Sequence, residues 1–120
     1  MAIENAASLL ARALNALSTG TGTLQARLET ACTYSFIHVV HESGQEDYLP
    51  EDVQQRIRVL MDRLTSVAGE GGTGDIRATV SRMSDDEAQE CATEMTELAL
   101  EVAMMSVAQH PEWYGGAATR

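Results

Sequence analysis

The sequence contains no lysine, so its eight basic residues are all arginines, against eighteen aspartate and glutamate residues. The net charge of −10 argues against direct binding to nucleic-acid backbones and to anionic membranes. No apolar run approaches the roughly 20 residues that span a bilayer. The first residues also lack the basic start of a secretory signal, so we expect a cytoplasmic protein.

Cysteines and aromatic residues are scarce as well. Cys32 and Cys91 are far apart in the sequence, and neither has a second cysteine nearby, which argues against a zinc knuckle or a redox pair. We expect two reduced, buried thiols. Because only 4% of the residues are aromatic, the core must consist mainly of Leu, Val, Ile, Met and Ala, which is typical of helical proteins.

Apolar residues repeat at intervals of three and four along most of the chain, which predicts amphipathic helices. The first helix is predicted over about residues 3–18, with an apolar face of Ile3, Ala7, Leu10, Leu14 and Leu17. A second follows over about 23–41 and a third over about 50–68, ending at a glycine-rich stretch. A short helix over 75–83 and a long one over 85–109 complete the pattern, which contains no alternation typical of strands.

The start of the long helix carries the clearest local signal. Ser84 and Glu87 have the spacing of a capping box, in which each side chain binds the other residue's backbone N–H. The sequence therefore predicts an all-α fold, a small antiparallel helical bundle of about four main helices plus one short helix. Residues 1–110 should form one domain and residues 111–120 a partly disordered tail.

Five glutamates on the long helix are the main candidate for a binding surface. Their spacing of three and four predicts one acidic stripe opposite the apolar face, with no basic residue in the same helix to offset it. Such a stripe is either a solvated face or a docking face. Trp113 and Tyr114 either fold back onto the bundle or anchor a partner. The candidate partner-binding residues are thus Glu87, Glu90, Glu94, Glu97, Glu101, Trp113 and Tyr114.

The sequence gives weaker indications of a metal site or a catalytic site. His38 and His41 lie three residues apart and could share a metal ion, but two ligands are an incomplete set. With Tyr34, these histidines would otherwise form a seam against a neighbouring segment. The stretch 69–74 matches G-x-G-x-x-G but follows a helix instead of a strand, so we interpret it as a connector. We assign no catalytic residue, no metal ligand and no cofactor.

The function predicted first is a small acidic adaptor, inhibitor or chaperone-like factor that binds a protein partner with a basic surface. One alternative is a metal-dependent all-α enzyme that uses His38, His41 or acidic residues. A second alternative is an inhibitor that mimics nucleic acid. Self-association as a homodimer is also predicted, because alanine-rich stripes allow helices of two subunits to approach closely.

Overall fold

The computed structural model describes residues 3–43, 49–69 and 72–109, which form helices joined by short connections. The helices are α1 (Ile3–Thr19), α2 (Leu24–Ala31), α3 (Ile37–Ser43), α4 (Glu51–Leu64), α5 (Gly72–Val80) and α6 (Asp85–Gln109). A π-helical segment, Cys32–Phe36, joins α2 to α3 without a break. None of the described residues forms a strand, which confirms the predicted all-α class. The predicted tail, with Trp113 and Tyr114, lies outside the described residues.

One continuous core unites these helices, and α6 packs against α1, α2 and α4. The buried face of α1 consists of Ile3, Ala6, Leu10, Ala13 and Leu17. The predicted Ala7 and Leu14 are only half-buried, because α1 turns Ala6 and Ala13 inward at these levels. Alanine at a helix contact permits close approach of the backbones. The apolar spacing thus predicted the buried side of α1 correctly, apart from a small error in its rotation about the helix axis.

The π-helical segment lies in the middle of the second predicted helix. The backbone N–H of Ile37 donates to the carbonyl of Cys32, five residues earlier, which widens this turn. Cys32, Ser35 and Phe36 from this segment are all buried. The wide turn therefore presents three side chains to the core within five residues.

The third predicted helix ends earlier than expected. It stops at Leu64, where Thr65 takes φ −126° and ψ 21°, so the prediction that it continues to residue 68 is wrong. Tertiary hydrogen bonds explain the stop. Buried Thr79 accepts from the N–H of Val67 at 2.8 Å and donates to the carbonyl of Val67 at 3.3 Å, which holds the connection against α5.

The connection between α1 and α2 is closed by an arginine. Arg27 donates from Nη1 to the carbonyl of Leu17 at 2.7 Å and thus places a cation at the carboxyl end of α1. A Cβ added to Gly20 would lie 2.9 Å from Cγ of Arg27 and 2.6 Å from the carbonyl oxygen of Ala16. Glycine at this position lets the arginine cross the end of the helix.

Candidate functional site

The predicted capping box forms and fixes the start of α6. Ser84 Oγ accepts from the N–H of Glu87 at 3.1 Å, and the Glu87 carboxylate accepts from the N–H of Ser84 at 2.9 Å. Both residues are exposed. The remaining stripe glutamates follow over about three turns of a helix whose beginning is thereby defined.

Two stripe glutamates converge on one arginine of α4. Arg56 Nε donates to Glu94 Oε2 at 3.1 Å, and Arg56 Nη1 donates to both carboxylate oxygens of Glu101 at 2.9 and 2.8 Å. The three side chains are 31%, 34% and 44% exposed, so they lie at the edge of the core. The hydrogen bonds with Glu101 and then Glu94 raise the pKa of Arg56 above its ordinary value, against a smaller opposing effect of burial. This arginine holds α4 and α6 together.

A second arginine of α4 pairs further along the same seam. Arg63 Nη2 donates to Glu90 Oε1 at 2.6 Å, and this hydrogen bond is the largest cause of the raised pKa of Arg63. Arg56, nearer the start of α4, pairs with Glu94 and Glu101, whereas Arg63, nearer its end, pairs with the earlier Glu90 of α6. The ion pairs therefore show that α4 and α6 run antiparallel, as the predicted bundle requires.

These contacts correct the predicted position of the stripe. We expected all five carboxylates opposite the apolar face of the helix, with no basic residue of that helix to offset them. Glu94 and Glu101 instead flank the core and bind Arg56 of α4, because the side of α6 that meets α4 is determined by the fold. Arginines on another helix, invisible to an analysis of α6 alone, provide the missing positive charge.

The stripe remains acidic after this pairing. Five glutamates face two arginines, which leaves three excess negative charges, and Asp85 and Asp86 add two more at the start of α6. Glu97 is exposed and forms no ion pair with the part of the chain that the structure describes. The outer part of the stripe is therefore an exposed negative surface on one helix.

The histidine region forms no seam among the described residues. Tyr34 is 73% exposed and His38 is exposed, so the expected packing of this face against a neighbour is not found for these two side chains. The side chain of His41 lies outside what the structure describes. Over residues 3–43, 49–69 and 72–109, no three His, Cys, Asp or Glu side chains are grouped as metal ligands.

Both cysteines are free and buried, as predicted. Cys32 Sγ donates to Met61 Sδ at 3.9 Å, within a sulfur-rich part of the core. Burial, followed by the influence of Cys91, raises the pKa of Cys32 to about 12. Burial also raises the pKa of Cys91, although Arg63 opposes the shift. A thiol that stays protonated at neutral pH is a poor nucleophile, so neither thiol is activated for chemistry.

The glycine-rich stretch behaves as a connector where it is described. The N–H of Gly69 donates to Asp75 Oδ1 at 2.8 Å, which ties the end of one helical region to the start of the next. Helix α5 runs from Gly72 to Val80, so the predicted bounds of 75–83 are three residues too late, and part of the predicted connector is helical. Asp75 in the first turn favours this start through the helix dipole.

Two surface features escaped the sequence analysis. One is a groove of about 590 Å³ between α1, α2 and α6, lined in part by Leu14, Leu24, Arg27 and Glu97. The other is an exposed apolar strip on the last part of α6, formed by Leu100, Met104 and Val107, which are 54%, 72% and 41% exposed. The strip carries the spacing of three and four that we attributed to the core side of the same helix.

The chain matches no protein-family model, and no curated protein or solved structure is significantly similar to it. No helix within the described ranges is both long enough and apolar enough to cross a membrane.

Proposed function

We propose that the protein is an interaction factor that binds a basic protein partner through the acidic stripe of α6. The observation that carries this proposal is the charge left on the stripe. Arg56 and Arg63 neutralise only part of it, and the exposed carboxylates of Glu87, Glu90 and Glu97 stand on one side of a single helix.

The ion pairs with α4 support binding because they hold the stripe in one arrangement. Arg56 joins Glu94 to Glu101, two turns apart, so the intervening Glu97 is carried by a helix fixed on both sides of it. A surface that is already ordered loses little conformational entropy when a partner binds. A fixed array of like charges also attracts an oppositely charged partner from a distance and accelerates association.

Charge removal at Glu90 and Glu97 keeps the pairs of Arg56 but breaks the pair of Glu90 with Arg63, so circular dichroism must first show that the variant remains folded. We would replace Glu90 and Glu97 together by Gln and measure capture of proteins from lysate of the source cell at several salt concentrations. The matched control is Glu51→Gln with Asp62→Asn, two exposed positions on α4 that remove the same charge away from the stripe.

The stripe variant should lose captured partners, and what it still captures should depend less on salt. The control should behave as wild type. Equal capture and equal salt dependence for the two variants would reject the stripe as a docking surface. If added DNA displaced the captured partner, the nucleic-acid-mimic form of this function would be favoured.

A further inference from the structure

Three sulfur-containing side chains come together where the π-helical segment meets α4 and α6. Cys32, the first residue of the π-helical segment, donates from Sγ to Met61 Sδ of α4 at 3.9 Å. Cys91 of α6 approaches the same part of α4, because its neighbour Glu90 binds Arg63 at 2.6 Å. After burial, the influence of Cys91 is the second cause of the raised pKa of Cys32, so the two thiols are neighbours in the core. The fold thus joins two cysteines that are distant in the sequence and adds a thioether to them.

The separation of the first two sulfur atoms suits a shared ion. Thiolate sulfur binds a metal ion of the size of zinc at roughly 2.3 Å, so two sulfur ligands at the trigonal angle lie roughly 4 Å apart. The 3.9 Å between Cys32 Sγ and Met61 Sδ matches this separation. The proton of Cys32 now lies between the two atoms in a hydrogen bond, and a bound ion would take its place.

The donor set selects the kind of ion. Thiolates and thioethers are soft ligands and favour monovalent copper, whereas structural zinc takes four ligands and iron–sulfur clusters take four cysteines. Over residues 3–43, 49–69 and 72–109, no third His, Cys, Asp or Glu side chain joins the two thiols as a ligand. Two thiols and one thioether therefore make a three-coordinate sulfur set, which monovalent copper accepts.

We propose that Cys32, Cys91 and Met61 form a binding site for one Cu(I) ion. Binding replaces the protons of both thiols, so two protons leave for solvent and three copper–sulfur bonds form without a change of oxidation state. The occupied site carries one negative charge, and Arg63 lies close enough to Cys91 to oppose it. Because the thiols must lose their protons, affinity should increase with pH. This inference does not depend on the function proposed for the stripe.

The position of the site also provides a route for the ion. Cys32 and Cys91 are fully buried, but Met61 is only half-buried and lies at the edge of the core. Its uncharged thioether can therefore receive the ion at the surface and pass it to the thiols. A net charge of −10 draws cations to the chain. The local backbone agrees with such a role, because π-helical turns are rare and are often found at functional sites.

Competition with a coloured chelator tests the site. The full-length chain is titrated without oxygen into the Cu(I) complex of bicinchoninate, and wild type should withdraw one ion per chain. Met61→Leu keeps the size of the side chain and should weaken binding by about tenfold or more, because one of three ligands is lost. Met83→Leu removes another half-buried thioether, away from the thiols, and should bind as wild type does. Circular dichroism checks that both variants remain folded.

X-ray absorption of the copper-loaded chain identifies the ligands independently, and should give three sulfur neighbours at roughly 2.3 Å. The double variant Cys32→Ala with Cys91→Ala should withdraw no copper from the chelator. If that variant does not fold, the comparison of Met61→Leu with Met83→Leu decides the question. A wild-type chain that leaves all copper with the chelator overturns the proposal, as does a Met61→Leu variant that binds as tightly as wild type. Nitrogen neighbours in the spectrum also overturn it and point to His38 and His41.

Discussion

Arg56 on α4 donates from Nη1 to Glu101 Oε2 on α6 at 2.8 Å, and the same guanidinium also binds Glu94. This pairing changes what the acidic stripe does for the fold. From the sequence, replacement of Glu90, Glu94, Glu97 and Glu101 by Gln should not reduce stability, because repulsion between like charges would be relieved. A marked loss of stability would instead imply that these carboxylates pair with arginines such as Arg56, Arg58 or Arg63. The structure divides the stripe into carboxylates that join two helices and carboxylates that only face solvent.

A double-mutant cycle on Arg56 and Glu101 tests this division. Arg56→Met and Glu101→Gln should each lower the free energy of unfolding, with a coupling of about 0.5–1 kcal/mol for a partly exposed pair. The coupling should shrink at high salt. Denaturant unfolding measures it. Glu97→Gln serves as the control and should be neutral or slightly stabilising. A coupling of zero would mean that the contact contributes nothing to stability.

The capping box makes a separate prediction. Ser84→Ala removes the acceptor for the N–H of Glu87 and should cost about 1 kcal/mol in thermal or denaturant unfolding. Ser81→Ala is the matched control, because the Ser81 hydroxyl is exposed and donates only to the carbonyl of Ala78 at 3.3 Å. Equal effects of the two substitutions would show that the cap does not stabilise α6.

The sequence predicted correctly those features that depend on residues close together in the chain. The capping box needs only Ser84 and Glu87, three residues apart, and both of its hydrogen bonds form. The spacing of Val53, Ile57, Leu60 and Leu64 likewise identified the buried face of α4. In both cases the interacting groups are set by the geometry of one helix.

Contacts between distant segments could not be predicted from the spacing of residues within one helix. Arg56 and Glu101 are 45 residues apart, and periodicity shows which side of a helix is polar without showing which helix lies beside it. The end of α4 at Leu64 depends on Thr79, which is also distant in the chain. The exposed strip shares its spacing of three and four with the core side of α6, so apolar periodicity alone does not show that Met104 faces outward.

Core truncation and histidine removal should have very different costs. Leu98 is fully buried, so Leu98→Ala should lower the free energy of unfolding by about 2–5 kcal/mol through lost transfer energy and a cavity. His38 is exposed, and His38→Ala should cost much less. Denaturant unfolding of both variants gives the comparison. A bound metal ion lost from His38→Ala, together with an activity, would favour the metal-enzyme alternative instead.

The buried thiols should make stability depend on pH in the alkaline range. The pKa of Cys32 rises from its ordinary value of 9.0 to about 12 on folding. Below pH 9 the thiol is protonated in both the folded and the unfolded protein, so it has no effect on stability. Between these values the unfolded chain loses the proton while the folded chain keeps it, and the free energy of unfolding falls as pH rises.

The expected slope from Cys32 is up to about 1.4 kcal/mol per pH unit, and Cys91, whose pKa is also raised, adds to it. Denaturant unfolding at a series of pH values above neutrality measures the slope. The double variant Cys32→Ala with Cys91→Ala should have a flatter profile, whatever it loses in stability at pH 7 through the small cavities. An unchanged slope in that variant would show that the alkaline loss arises from groups other than the two thiols.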